Sequence, residues 1–132
     1  MTSPASFRPH EKVKSPDDFR RAFERRRSVS DPFLIVHGVE NGRDHARLGI
    51  AVPRKRIRAA SARNRLKRII REAFRLSKAE LPPGIDLIVL PRDHRLTFEA
   101  ARRSLPILAR DVARRLKPPK PMPTTIPTKA AQ

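Results

Sequence analysis

No cysteine, tryptophan or tyrosine occurs among the 132 residues of this chain, and glycine occurs only four times. Without cysteine there can be no disulfide and no thiolate metal site, and a reducing cytosol is compatible with the sequence. So few glycines leave no Gly-rich loop to cradle a phosphate. The histidines, His10, His37, His45 and His94, are scattered without metal-ligand spacing, and no pair of carboxylates stands out for acid–base work. The sequence therefore offers no catalytic residue and no metal ligand of its own. No window approaches the ~18 consecutive apolar residues of a membrane span. Met1 to Lys14 lack the apolar stretch of a secretory signal. The expectation is a cytoplasmic protein with no membrane partner.

Negative charge is also scarce. Lys and Arg total 31 against 13 Asp and Glu, for a net charge of +18. Such an imbalance repels itself in the folded state, and a bound polyanion relieves it. Nucleic acid is the leading partner class. The 38% of hydrophobic residues suffices for one modest core, so a single domain is expected.

Residues 1–14 are polar, basic and aperiodic and read as disordered. A helix opens at Ser15, with Pro16 at its first position and Asp17 and Asp18 at its positive end. Asp31-Pro32 breaks the chain before a strand at Phe33-Leu34-Ile35-Val36. Glu40 to Asp44 is turn chemistry. Arg47 to Val52 alternates as a strand, with Leu48, Ile50 and Val52 on one side. A long helix follows, stopped by Pro82-Pro83-Gly84. Ile85 to Leu90 reads as a buried strand. Thr97 caps a last helix whose core face is Ala101, Leu105, Leu108, Val112 and Leu116, with Pro106 expected to kink or split it. Residues 118–132 are Pro-rich and read as a disordered or extended tail. Between the two ends, residues 15–117 form a small α+β domain, one sheet with helices packed on it.

The densest signal lies between Arg54 and Arg75, where ten basic residues accompany one acid, Glu72, in 22 positions. In its second half, Leu66, Ile69, Ile70, Ala73 and Phe74 recur with helical period and share one face. Arg63, Asn64, Lys67, Arg68, Arg71 and Arg75 fall on a separate arc. A merely solvated helix mixes signs, because i,i+4 pairs stabilise it while like charges repel. Carrying this repulsion points to a polyanionic ligand. Arginine predominates, and its planar guanidinium can fork two phosphate oxygens or stack on a base. Phe19 and Phe23, spaced i,i+4, read either as core residues or as a stacking surface for single-stranded bases. Phe33, Phe74 and Phe98 read as core.

Ala62 to Arg75, with its Arg63-Asn64-Arg65 signature, resembles the protein subunit of bacterial ribonuclease P. The resemblance extends over residues 13–116, through Val13 to Phe23, Arg47 to Lys55, and Ile85 to Arg92 with the last helix. It implies an α-β-β-β-α-β-α order with a left-handed βαβ crossover. It also implies a ribonucleoprotein endonuclease that removes the 5′ leader from precursor tRNA. The catalytic centre would lie in the RNA subunit, acting with Mg²⁺, and the isolated protein would be inactive. The partners would be the RNA subunit and precursor tRNA, not DNA. By position, Phe19, Phe23, Arg63, Asn64, Lys67 and Arg71 would line a cleft for the leader. Arg54, Lys55, Arg56, Arg65, Arg68 and Arg75 would meet the RNA subunit. In many members the first strand turns an aromatic residue to the cleft, and Val36 takes about that place here. A structural, ribosomal-type RNA-binding protein fits the same composition and is the alternative.

Overall fold

The computed structural model of the protein describes residues 9–116. Residues 1–8 and the Pro-rich tail at 118–132 lie outside the described residues. Helix α1 (Pro16–Glu24) begins as the sequence predicts, with Ser15 Oγ accepting the Asp17 N–H at 3.1 Å and Pro16 in the first turn. Its end is unusual. Arg26 has φ 57°, the left-handed region where a Cβ is crowded by the following carbonyl oxygen. Arg26→Gly is expected to stabilise the fold by about 0.5–1 kcal/mol, since the ~1–2 kcal/mol relieved there exceeds glycine's entropic penalty. A rise in the urea midpoint would register it.

Strand β1 (Ser28–Ser30) pairs with β2 (Leu34–Glu40), followed by β3 (Arg47–Ile50), helix α2 (Ala60–Ser77), β4 (Ile85–Pro91) and helix α3 (Phe98–Leu116). This is the α-β-β-β-α-β-α order that the resemblance implies. The sheet runs β1-β2-β4-β3, with β2 antiparallel to both neighbours and β3 parallel to β4. Helix α2 is thus the crossover between two adjacent parallel strands, which a tight turn cannot join.

One face of the sheet carries the main core. Leu34, Val36, Leu48, Leu87 and Val89 pack there with Leu66, Ile70 and Phe74 of α2 and Leu105 and Val112 of α3. The predicted core face of α3 is buried throughout, from Ala101 to Leu116. Of the kink or split expected at Pro106, the split does not occur; α3 runs as one element with Pro106 buried inside. Packing along a whole buried face outweighs the one backbone hydrogen bond that a proline removes. At Gly38 a Cβ would stand 3.0 Å from both methyls of Val112, so α3 lies almost on the β2 backbone.

The opposite face holds a smaller cluster of Val13, Ala22, Val39 and Ile88, with Phe19 packed against it. A buried ion pair joins β3 to β4. Arg47 donates to Asp86 at 2.7 and 2.6 Å, Asn41 Nδ2 adds a bond to Asp86 at 2.9 Å, and Asp18 of α1 approaches Arg47 at 3.3 Å. The hydrogen bonds that Asp86 accepts raise the Arg47 pKa above its ordinary value. The arrangement anchors α1 to the sheet.

Residues 9–14, expected to be disordered, are ordered. Pro9–Glu11 form a turn of 3-10 helix, and Val13 is buried and donates its N–H to Leu48 O at 2.9 Å. Glu11 pairs with Lys78 at 2.7 Å. His45 adds a clasp, its two ring nitrogens meeting Asp44 Oδ1 at 2.9 Å and the His10 carbonyl at 3.0 Å. Both partners are acceptors, so only the imidazolium satisfies both. The Asp44 hydrogen bond, then the His10 carbonyl, raises the His45 pKa. A raised histidine contributes stability that is full below its unfolded value and is lost as pH rises through its folded value. Hydrogen-exchange protection at the Val13 amide should therefore fall as pH climbs from about 6.5, and the fall should vanish in His45→Gln.

Candidate nucleic-acid interface

Helix α2 sorts its basic residues into distinct groups. Its buried stripe, Leu66, Ile70, Ala73 and Phe74, fixes the rotation, and Ile69 is half-buried beside it. On one flank, Lys67 and Arg71 face Phe19 across the edge strand β3. Together with Lys12, Val13, Leu48, Gly49 and Ile50 they line a recess of about 210 Å³. Gly49 makes this approach possible. A Cβ there would stand 2.7 Å from Ile88 Cδ1 and 2.9 Å from the Phe19 ring. The Phe19 ring thus lies on bare backbone, half-buried, and forms the apolar wall of a cationic recess. Gly49→Ala is expected to displace that ring and to cost about 1–3 kcal/mol, as overpacking does; thermal unfolding checks it.

Phe23 sits one turn along α1 and is 39% exposed. Its ring meets that of His37 edge-on at 4.7 Å. Burial lowers the His37 pKa, so its ring stays neutral at physiological pH, with Nδ1 lacking a partner among the described residues. Phe19 and Phe23 are therefore neither wholly core nor wholly solvent: each has one packed side and one open side. Val36 does not face this side of the sheet. It is fully buried beneath α3, and its neighbours Ile35 and His37 take the opposite face, where His37 meets Phe23 of α1. A one-residue offset along a strand exchanges the faces.

On the other flank, Asn64, Arg65 and Arg68 gather with Ser61 around a second recess of about 340 Å³. Asn64, expected with the leader residues, is placed here. Arg65 is engaged by its own protein, donating to the carbonyls of His94 and Leu96 in the β4–α3 loop. Arg63 behaves alike. Its guanidinium donates to Ile57 O at 3.0 Å and Arg58 O at 2.7 Å, bracing the turn ahead of the helix. That turn closes through the Arg56 and Ile57 N–H groups on Pro53 O, with Ile57 buried as its anchor. Arg54, Lys55 and Arg56 are held exposed on it. Arg75 belongs to neither recess and pairs with Glu72 at 2.6 Å.

The charge pairing is uneven. Arg20, Arg25 and Arg102 pair with Asp17, Glu40 and Glu80, and Arg114 with Asp111. Among the described residues, Arg54, Lys55, Arg56, Lys67, Arg68 and Arg71 form no ion pair, although Glu72, which pairs with Arg75, lies near enough to Arg68 and Arg71 to feel their charge. Lys12 and His37, which sequence reasoning did not assign to the site, join it through strand pairing and through the face of β2. Among the described residues no helix is long and apolar enough to cross a membrane, and no cluster of His, Cys, Asp or Glu is placed to hold a metal ion.

Comparison with known proteins bears on the family and the fold. The sequence model of the family described as Ribonuclease P matches residues 7–113. The chain is 41% identical over 87 residues to the ribonuclease P protein component of Thermotoga petrophila, covering 66% of this chain and 74% of that protein. It is 42% identical over 93 residues to that of Syntrophobacter fumaroxidans, covering 70% and 77%. The fold superposes on the RNase P protein of Thermotoga maritima with a TM-score of 0.67 at 36% identity, over 76% of this chain and 96% of that one. With the Staphylococcus aureus RNase P protein the TM-score is 0.66 at 31% identity, over 81% and 98%.

Proposed function

This chain belongs to the ribonuclease P protein family, and on that premise we propose that it binds two RNAs, the catalytic RNA subunit and the 5′ leader of precursor tRNA. The observation that carries the reading is the juxtaposition of the Phe19 ring with Lys67 and Arg71 across the glycine-floored edge of β3. A single-stranded leader exposes bases that stack on an aromatic face and phosphates that draw lysine and arginine. Phe23 on His37 extends the apolar wall. The recess at Asn64, Arg65 and Arg68, with the exposed turn at Arg54, Lys55 and Arg56, serves the RNA subunit. Arg63 and Arg65 contribute largely by bracing the two flanking loops, and Arg75 is the most peripheral member. Nothing observed favours the ribosomal-type alternative.

In this reading the protein supplies no nucleophile. It screens charge between two RNAs and holds the substrate in register, which lowers the entropic part of the barrier. Hydrolysis of the leader belongs to the RNA subunit with Mg²⁺, and no step runs through an ion held by the protein. The cytoplasm, where tRNA is matured, is the proposed compartment.

Phe19→Ala is expected to weaken binding of a leader-bearing precursor by roughly tenfold, within the ~1–3 kcal/mol of one base–aromatic stack. Binding of leaderless tRNA should change little. Equal losses on both substrates would contradict the leader assignment, and urea unfolding of the variant separates either result from a collapsed fold.

A further inference from the structure

Phe33, expected in the core, is 41% exposed. It precedes β2 and is four residues from His37, roughly 13 Å at ~3.3 Å per residue, so it stands apart from the Phe19 recess. Its backbone is pinned. The Phe33 N–H donates to Asp31 Oδ1 at 2.8 Å, the same oxygen takes the Leu34 N–H at 2.9 Å, and the Phe33 carbonyl accepts the Arg92 N–H at 3.1 Å. The ring is thus held in water by a rigid frame.

Beside it lies a cavity of about 230 Å³ lined by Pro32, Phe33, Asp93, Arg95 and Leu96. The far wall is held by hydrogen bonds as well. Asp93 accepts the Arg95 N–H at 2.8 Å and its guanidinium at 3.0 Å. Leu96 is buried in the core. Arg65 reaches across from α2 to the carbonyls of His94 and Leu96. Binding to such a preformed site orders little that is not already ordered.

The lining is specific in its chemistry. Phe33 and Pro32 offer flat apolar surface, Arg95 a planar cation that stacks or forks, and Asp93 an acceptor for a ring or amino N–H. Exposed Arg92 lies next to Asp93 for a phosphate. A flat heterocycle with a polar edge and an attached anion matches all of these. An acidic peptide would meet the cations and gain nothing from the flat wall. Arg65 braces this loop and also borders the Asn64–Arg68 recess, which ties the cavity to the side proposed to meet the RNA subunit.

We propose that the Phe33 cavity takes one unpaired nucleobase of the RNA subunit, stacked on Phe33 and edged by Arg95 and Asp93. The assignment rests on the RNA-binding reading above. The test uses the full chain and the RNA subunit. The protein has no tryptophan or tyrosine, so F33W carries a single strong fluorophore at the site. Saturating RNA should quench it. F33L keeps apolar bulk against Leu96 and loses the aromatic face. Its affinity should fall roughly 5- to 100-fold, as expected for losing a ~1–3 kcal/mol stack. The salt slope should not change, because stacking releases no counterions; R68Q should flatten that slope. Unchanged F33W emission at saturation, with F33L binding as tightly as the unaltered protein, would overturn the site. A defect confined to leader-bearing precursor would place the base in the leader and overturn the assignment to the RNA subunit. Failure of the unaltered protein to bind RNA would instead remove the underlying reading.

Discussion

Replacing Arg47 with alanine should destabilise the protein by about 3–5 kcal/mol, because it strands a buried carboxylate. Asp86 has no exposure at all and, among the described residues, its carboxylate keeps only the Asn41 amide once Arg47 is gone. Marginal domains hold roughly 5–15 kcal/mol in total, so a large part of the stability resides in this contact. The loss should appear as a lower urea midpoint. α1 should loosen with it, since Asp18 reaches the same guanidinium at 3.3 Å. The double variant Arg47→Met with Asp86→Leu should recover most of the loss, because a packed apolar pair avoids the desolvation cost of both charges. A single variant as stable as the unaltered protein would show that water reaches Asp86.

The second large effect concerns binding. Removing Lys67 and Arg71 together should weaken the leader-bearing precursor by roughly 100-fold, taking each charge-assisted contact at the lower end of ~1.5–3 kcal/mol. The salt dependence should respond as well. If the protein neutralises about six phosphates, the unaltered log–log slope lies near −4 to −5, and each lost contact makes it shallower by about 0.7–0.9. Neither side chain is in the core cluster, so the fold should survive. The same pair of changes should affect binding of the isolated RNA subunit less than Arg68→Gln does. Affinity measured across a salt series with both RNAs checks the assignment of flanks.

The elements with strong local signals were legible in the sequence. α2 shows its buried stripe in the period of Leu66, Ile70 and Phe74, and Ser15-Pro16 marks the start of α1 by capping chemistry. α3 shows its face despite Pro106, because five apolar residues keep the period. What escaped has a physical cause in each case. β1 is Ser-Val-Ser, with one apolar residue, and exists because β2 offers it a partner. The second half of β2, His37 to Glu40, lacks alternation, and Phe33 to Val36 is apolar without a break, so the face of Val36 could not be read from pattern. Residues 9–14 fold through Leu48 and Lys78, both distant in sequence. The loop carbonyls that hold Arg63 and Arg65 leave no trace in composition. The density of charge marked the candidate interface, and only tertiary contacts divide it into braces and exposed cations.

Cleavage of a precursor tRNA by a bacterial ribonuclease P RNA at low Mg²⁺, with and without this protein, tests the central claim most directly. Correct 5′ maturation that appears only when the protein is added, with no cleavage by the protein alone, is the result predicted. Tight, salt-dependent binding to that RNA with no stimulation of cleavage, or turnover by the protein free of RNA, would contradict it.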